Sequence, residues 1–384
     1  MKKHSVRENG TGRNNGAKAS RRKIRYAVVG LGHIAQVAIL PAFAHAGNSE
    51  LTALVSDDPV KREQLARKYG IEHVYSYEDY DKCVAGGYID AVYIALPNNL
   101  HCEYTLRAAR AGIHVLCEKP MAVTERECEQ MIQAAAQHRV KLMIAYRLHF
   151  EEANLKAVRM VQAGKLGEPR LFNSVFTMQV RDKDIRTQKE LGGGTLYDIG
   201  IYCINAARYL LRAEPIEVTA FSVSGTDRRF KEVDEMTVAL LRFPDDRLAT
   251  FTCSFGASDV SSYDIVGTKG HLRVEPAYEY VGELKHHVMR NGNGKTRKFG
   301  ARDQFAAELV YFSNCILKDR QPEPSGQEGM IDVSIIRALY RSAELGRPVA
   351  FRASKKGKRP TLAQEIERPP VKKPRLVHTK SPSL

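Results

Sequence analysis

Over the first 150 residues, apolar positions fall into two alternating kinds of run. Short, nearly continuous hydrophobic stretches at 24–29, 51–55, 91–95, 114–116 and 141–145 have the length and composition of strands buried on both faces. Between them, 34–46 (with Pro41 inside it), 60–69, 100–111 and 125–138 have the length and polarity of helices. Strands alternating with helices of this size predict right-handed crossovers and an α/β, doubly wound parallel sheet over residues 23–150. After 150 the pattern changes. Helices are expected at 154–162 and 199–211, followed by strands at 218–223, 237–242, 248–255, 262–266 and 271–274 with no helix between them. Consecutive strands predict an antiparallel sheet, so residues 151–351 read as an α+β domain closed by helices at 304–317 and 331–345.

Composition narrows the class. A chain of 384 residues suits two domains, and 43% hydrophobic with 27% charged residues excludes a wholly disordered or fibrous protein. No apolar run approaches the roughly 18–20 residues of a membrane helix. The net charge of +15 suggests a nucleic-acid partner until it is divided along the chain. Residues 1–22 carry +6 and residues 352–384 carry +8, which leaves +1 for the body. No nucleic acid is therefore expected for the body. The basic, Gly/Asn-rich first segment and the Pro/Lys-rich last segment read as unpacked solubilising ends, with a polyanion or membrane-surface contact as the alternative. No secretory leader is visible, and Arg21-Arg22 runs straight into a strand. Seven cysteines without a C-x-x-C pair fit reduced thiols in a cytoplasmic protein. The twelve histidines show no spacing that suggests a metal site.

Three clusters carry candidate chemistry. The first strand ends in Gly30-Leu31-Gly32-His33-Ile34-Ala35, a G-x-G-x-x-A turn opening a helix. Gly30 permits the tight turn and Gly32 a close approach of backbone to pyrophosphate, while the helix N-terminus offers aligned N–H groups. The second strand ends at Ser56, with Lys61 and Arg62 in the next turn. Cations there suit a 2′-phosphate, so NADP(H) is expected over NAD, although Asp57 complicates the reading and Asp57 or Asp58 could instead cap the helix. The strand at 114–116 runs out into Glu118-Lys119-Pro120, at the edge where ligands bind in open parallel sheets. The third cluster, Gly192-Gly193-Gly194, leads into a helix carrying Asp198 and Tyr202 at i, i+4, on one face. By pattern alone, a capping Asp198 and a core Tyr202 explain that spacing equally well.

Together these stretches, with ALPNNLH (95–101) and MIAYRLHF (143–150), resemble the glucose–fructose oxidoreductase/inositol dehydrogenase (Gfo/Idh/MocA) family over residues 24–351, most closely its glucose–fructose oxidoreductase branch. The resemblance implies a Rossmann domain followed by a domain with a large open antiparallel sheet, through which the chain would form a homo-oligomer, a dimer or tetramer. It assigns the catalytic roles to Lys119, Asp198 and Tyr202. It implies NADP contacts at Gly30, Leu31, Gly32, His33 and Ile34, at Ser56, Lys61 and Tyr77, and at Leu96, Asn98, His101, Glu118 and Lys119. Arg147 and His149 would lie near the sugar. The implied reaction moves hydride between C1 of a pyranose aldose and the nicotinamide, giving an aldonolactone. Tyr202 would be the acid/base, Lys119 would assist its ionisation and Asp198 would orient the substrate hydroxyls. Two variants of this chemistry stay open: a ping-pong enzyme that keeps NADP bound, and a nicotinamide-dependent glycosidase. A non-enzyme alternative is a nucleotide-sensing or nucleic-acid-binding protein acting through the basic ends. The family's periplasmic representative carries a proline-rich arm over its cofactor, whereas the first segment here is short and lacks proline, and the Pro/Lys-rich segment after 352 has no counterpart.

Overall fold

Five of the six residues of Ile24–Val29 (β1) are buried, which leaves this strand no face for water. In the computed structural model, which describes residues 22–353 and 358–383, it lies inside a six-stranded parallel sheet. Its partners are Ser49–Val55 (β2), His73–Tyr75 (β3), Ala91–Ile94 (β4), His114–Glu118 (β5) and Leu142–Ala145 (β6), in the order β3-β2-β1-β4-β5-β6. The chain moves outward from β1 in both directions, so a crevice opens at the carboxyl ends of β1 and β4. The three-residue β3 lies below the length at which hydrophobic pattern gives a signal.

The expected helix at 34–46 is not regular. Pro41 has no N–H to donate to the preceding turn, and the segment breaks into a wide turn, Ala35–Ile39, then Leu40–Ala42 and Phe43–His45. The Leu40 N–H reaches back five residues to the Ala35 carbonyl. The next helix, Pro59–Tyr69, is punctuated by rule: Asp58 caps it by accepting from the Lys61 N–H, Pro59 opens it and Gly70 ends it in the left-handed conformation.

The second sheet has nine strands, Pro169–Gln179 (β7), Glu217–Val223 (β8), Met236–Phe243 (β9), Arg247–Ser254 (β10), Gly256–Gly267 (β11), Gly270–Val274 (β12), Leu284–Arg290 (β13), Asn293–Phe299 (β14) and Val349–Ala350 (β15). Their order is β14-β13-β12-β11-β7-β10-β9-β8-β15. The sheet is mostly antiparallel, as expected, but β7 and β10 run parallel, so it is mixed. Helices Ile201–Leu211 and Gly326–Leu345 cover one face. The other face exposes Phe221, Val223, Val238, Leu240 and Leu248. Helix Gln304–Leu317, which the sequence groups with the second domain, packs instead on the first sheet, where Ser313 Oγ lies 2.8 Å from both the Tyr26 hydroxyl and Ser49 Oγ. All seven cysteines are buried and unpaired. No helix among the described residues is long and apolar enough to cross a membrane.

One expectation is overturned here. Residues 358–383 are not an unpacked end. Arg359 pairs with Glu214 at 2.6 Å, Glu365 with Arg302 at 3.0 Å, and the Asp303 N–H donates to the Arg368 carbonyl at 3.1 Å. Composition marks this segment as soluble because its own side chains are polar, but it is held by partners on the body. The basic segment 1–22 lies outside the described residues, apart from Arg22.

A buried ion cluster ties the helices of the second unit together. Arg208, with no solvent exposure, reaches Glu214 at 2.6 Å, Glu328 at 2.8 Å and Asp332 at 2.6 Å. Burial raises Asp332 to about 6 even against Arg208, while for Glu214 burial is outweighed by Arg208 and the carboxyl falls to about 2. Replacing Arg208 with Met would strand these carboxylates, and the expected loss at pH 8 is about 3–5 kcal/mol in a urea melt. A carboxyl whose folded value is raised carries its penalty above that value and sheds it below. The loss should therefore shrink as the pH falls from 8 to 5, where Asp332 takes up a proton.

Candidate active site

The glycine turn after β1 sets the floor of a cleft of about 700 Å³. Gly30 has φ +94°, and a Cβ there would sit 2.5 Å from the Ala95 carbonyl oxygen, so no other residue fits. Gly32 lines the cleft, and a Cβ there would meet no atom within 4 Å. That open backbone is the approach a pyrophosphate needs, and the residues present fit a dinucleotide. His33 and Ile34 also line the cleft.

At the end of β2 both acids are already committed. Asp57 accepts the Tyr77 N–H at 2.7 Å, and Asp58 is the helix cap, which resolves one alternative left by the sequence. Arg62 is held on the Ser56 carbonyl at 2.5 Å. Lys61 lines the cleft, with its Nζ 3.7 Å from Asp58. Gly30, Leu31, Ser56 and Tyr77 stand outside the lining and support it.

Leu96, Asn98 and His101 bring the β4 turn to the cleft wall. Asn98 donates to the Gly192 carbonyl at 2.8 Å. His101 is fully buried, with its ring nitrogens 2.8 Å from the Pro120 carbonyl and 2.9 Å from the Leu96 carbonyl. It fastens the turns after β4 and β5 to each other. Glu118, also on the wall, accepts from the Tyr93 hydroxyl at 2.9 Å.

At the end of β5, Lys119 crosses to the second unit. Its Nζ donates to the Asp198 carbonyl at 2.8 Å and to Asp198 Oδ1 at 3.1 Å. The other carboxylate oxygen accepts from Arg186 Nε at 2.6 Å, and Arg186 is braced by Asp184 at 3.1 Å. Burial would raise the Asp198 carboxyl, but Arg186 and Lys119 outweigh it and hold the group well below the usual range. Burial would likewise lower Lys119, but Asp198, then Tyr202 and Glu118, hold it above its ordinary value. These neighbours favour the ammonium form of Lys119.

The helix with Asp198 and Tyr202 starts in a wide turn, Leu196–Gly200, which leaves the Asp198 carbonyl to Lys119. No side-chain cap forms, so Asp198 is not a capping residue. Tyr202 lines the cleft with it. Lys119 Nζ lies 4.9 Å and the Arg147 guanidinium 5.0 Å from the centre of the Tyr202 ring. Arg147 is buried, donates to Gln304 at 2.5 Å and to the Tyr278 carbonyl, and lines the cleft. His149 does not. Two residues further along a tight turn it faces elsewhere, fully buried, with Nε2 2.8 Å from Asn205 Oδ1.

Sequence reasoning missed Arg186, Phe176, Tyr278, Tyr280 and residues 379–383, all of which line the cleft. Only Arg186 had a nearby signal, its position a few residues before the three glycines.

Comparison with known proteins agrees with this geometry. A model described as "Oxidoreductase family, NAD-binding Rossmann fold" (GFO_IDH_MocA) matches residues 24–146, and the corresponding C-terminal domain model matches 154–273. The chain is 35% identical to D-xylose 1-dehydrogenase [NADP(+)] of Haloarcula marismortui, over 84% of this chain and 91% of that one. Among solved structures, it is 40% identical to the aldose–aldose oxidoreductase of Caulobacter crescentus, complexed with glycerol, with a TM-score of 0.83 over 86% of this chain and all of that one. A 3-ketoreductase from Actinomadura kijaniata, in complex with NADP, is 28% identical with a TM-score of 0.77, over 84% of this chain and 98% of that one.

Arg186 accounts for one of two cations on a partly buried carboxylate. Arg186→Met should lower stability by about 1.5–3 kcal/mol, the range of a hydrogen bond to a charged group, read as a lower denaturant midpoint at unchanged slope.

Proposed function

The chain belongs to the Gfo/Idh/MocA family and is an NAD(P)-dependent oxidoreductase acting on sugars, and we propose that it oxidises a pyranose aldose at C1 with NADP⁺ to give an aldonolactone, as in the sugar-oxidising, glucose–fructose oxidoreductase-like branch. The observation that carries this reading is the meeting of Lys119, Asp198 and Tyr202 in one cleft with the glycine turn. When bound, the nicotinamide supplies the hydride acceptor; the chain supplies the rest.

Lys119 has three N–H donors, and two are used on Asp198. The third remains for the substrate oxygen at the reacting carbon. Asp198 has one contact on each oxygen and keeps lone pairs for sugar hydroxyls, which it can hold in a fixed direction because Arg186 and Lys119 fix it. Tyr202 takes the C1 hydroxyl proton on oxidation and returns it on reduction. Arg147, on the same ring, adds positive charge where negative charge develops. Lys61, with both nearby acids committed, is the cation for a 2′-phosphate, which supports NADP over NAD. The second reading, a ping-pong exchange between two aldoses, is favoured by the likeness to an aldose–aldose oxidoreductase. The exposed apolar face of the second sheet, with Phe221, Val223 and Leu240, fits a second copy of the chain.

Turnover on a panel of aldoses, followed as NADPH absorbance, tests the substrate class. Tyr202→Phe keeps the ring packing, so dinucleotide binding should survive while kcat falls by about 10²–10⁴-fold. Lys119→Ala should cost at least as much, and the double variant should lose less than the product of the two. Near-normal turnover in Tyr202→Phe would remove Tyr202 from the chemistry. Separately, Lys61→Ala should weaken NADP⁺ by about 1.5–3 kcal/mol in a fluorescence titration and leave NAD⁺ nearly unchanged. Equal losses would shift the assignment to a ribose contact.

A further inference from the structure

Where residues 358–383 end is not incidental. The Val377 N–H donates to Gln36 Oε1 at 2.8 Å, and Gln36 Nε2 donates back to the Val377 carbonyl at 2.9 Å. Gln36 also donates to the Leu31 carbonyl at 3.0 Å, so this anchor sits on the glycine turn itself. A few residues later the segment is fastened to the other unit. The Arg181 N–H donates to the Pro382 carbonyl at 2.8 Å, and Arg181 Nε lies 2.9 Å from the Ser381 carbonyl and 3.0 Å from the Ser383 carbonyl. Ser383 forms an antiparallel bridge with Val180 at the end of β7. Between the anchors, Thr379, Lys380 and Ser381 line the same cleft as Gly32, Lys61 and Lys119. His378 stands 3.4 Å from Asp58, the cap of the helix that carries Lys61.

We infer that residues 377–383 form a strap across the mouth of the cofactor cleft, which opens to exchange NADP(H) and holds it when closed. The inference rests on the reading of the cleft as an NADP(H) site. Both anchors are short sets of hydrogen bonds, mostly to main chain, and of the strap's own side chains only Val377 also packs against an apolar core. Such contacts open locally while the rest of the fold stays intact. A dinucleotide held at Gly32 and Lys61 would share the cleft with the segment between the anchors, and its entry or exit would require at least one set to break. With the strap closed, Lys380 adds a positive charge to the wall facing a dianionic pyrophosphate. The strap also spans the two units, and its closure fixes the distance between the glycine turn and β7.

The test compares the full chain, a chain ending at Leu376, and Arg181→Ala in the full chain. Stopped-flow nicotinamide fluorescence gives the NADPH association rate on mixing and the dissociation rate on chase with excess NADP⁺. Removal of the strap should speed both, dissociation by at least about tenfold, the worth of one or two hydrogen bonds. Arg181→Ala, which keeps the whole chain and loses one anchor, should shift both rates the same way by a smaller factor. NADPH binding to the shortened chain alone would also support the strap, as a closed gate. Identical rates in all three proteins overturn it and leave the NADP(H) reading standing. Failure of all three to bind NADPH overturns that reading, and the strap as a gate with it.

Discussion

The charge of Asp198 is the constraint on which the cleft depends. A buried carboxylate without a partner is among the most unfavourable groups a fold can carry. Its two partners come from different places: Lys119 from the end of the first sheet, Arg186 from the segment that leads into the Asp198 helix. Satisfying it therefore requires the two units to dock in one register. The seam around it is built for close approach. A Cβ on Gly192 would lie 2.7 Å from Val123 Cγ2 and 2.8 Å from Asn98 Cβ, so glycine at this point lets the second unit reach the first. Asn98 to Gly192 and the Tyr197 hydroxyl to the Val123 carbonyl, at 2.7 Å, then fasten the same seam. The geometry that makes Asp198 affordable also aims Lys119 and Tyr202 at a common volume.

The parallel, doubly wound class of the first sheet and five of its six strands were legible because strands buried on both faces need continuous apolar runs, and those runs can be counted. The catalytic candidates came from the family resemblance: Lys119 at a strand end was a positional hint, but the i, i+4 spacing of Asp198 and Tyr202 fitted a cap and a core aromatic equally well. What was lost was lost for identifiable reasons. The central strand β7, PRLFNSVFTMQ, mixes buried and half-exposed positions and lacks a clean alternation. Strands β13 and β14 are rich in charge, although Asn291-Gly292, with φ +49° and +76°, is a tight-hairpin signal that marks them. His149 was placed near the sugar with Arg147 by the family resemblance, but a tight turn separates the two and only Arg147 lines the cleft. Arg186 depends on a contact with a residue in another element, and no periodicity encodes that.

The C-terminal segment shows the same limit from the other side. Its composition was read correctly: it is polar, basic and has little to bury. The inference that it is unpacked failed because its charged side chains, Arg359 and Glu365, find partners on the body, and because its last residues are held through their main chain. Gln36 and Arg181 belong to the body, and what they bind is the main chain of residues 377 and 381–383, which any sequence would present. A segment can be ordered by the polar side chains of its host, and a count of its own charges is blind to that.

The same accounting explains the charge at the adenosine end of the cleft. On charge, Lys61 and Arg62 after Ser56-Asp57-Asp58 suit a 2′-phosphate, with Asp57 complicating the reading. Hydrogen bonding bears on that complication. Asp57 has one oxygen on the Tyr77 N–H, Asp58 is spent on the N-terminus of its helix and on His378 of the C-terminal segment, and Arg62 is turned back on the Ser56 carbonyl. Lys61 alone among these charges lines the cleft. A ribose hydroxyl would have to share Asp57 with the Tyr77 N–H, or share Asp58 with the helix end it caps. Lys61, 3.7 Å from Asp58, is the residue on which the proposed 2′-phosphate contact rests.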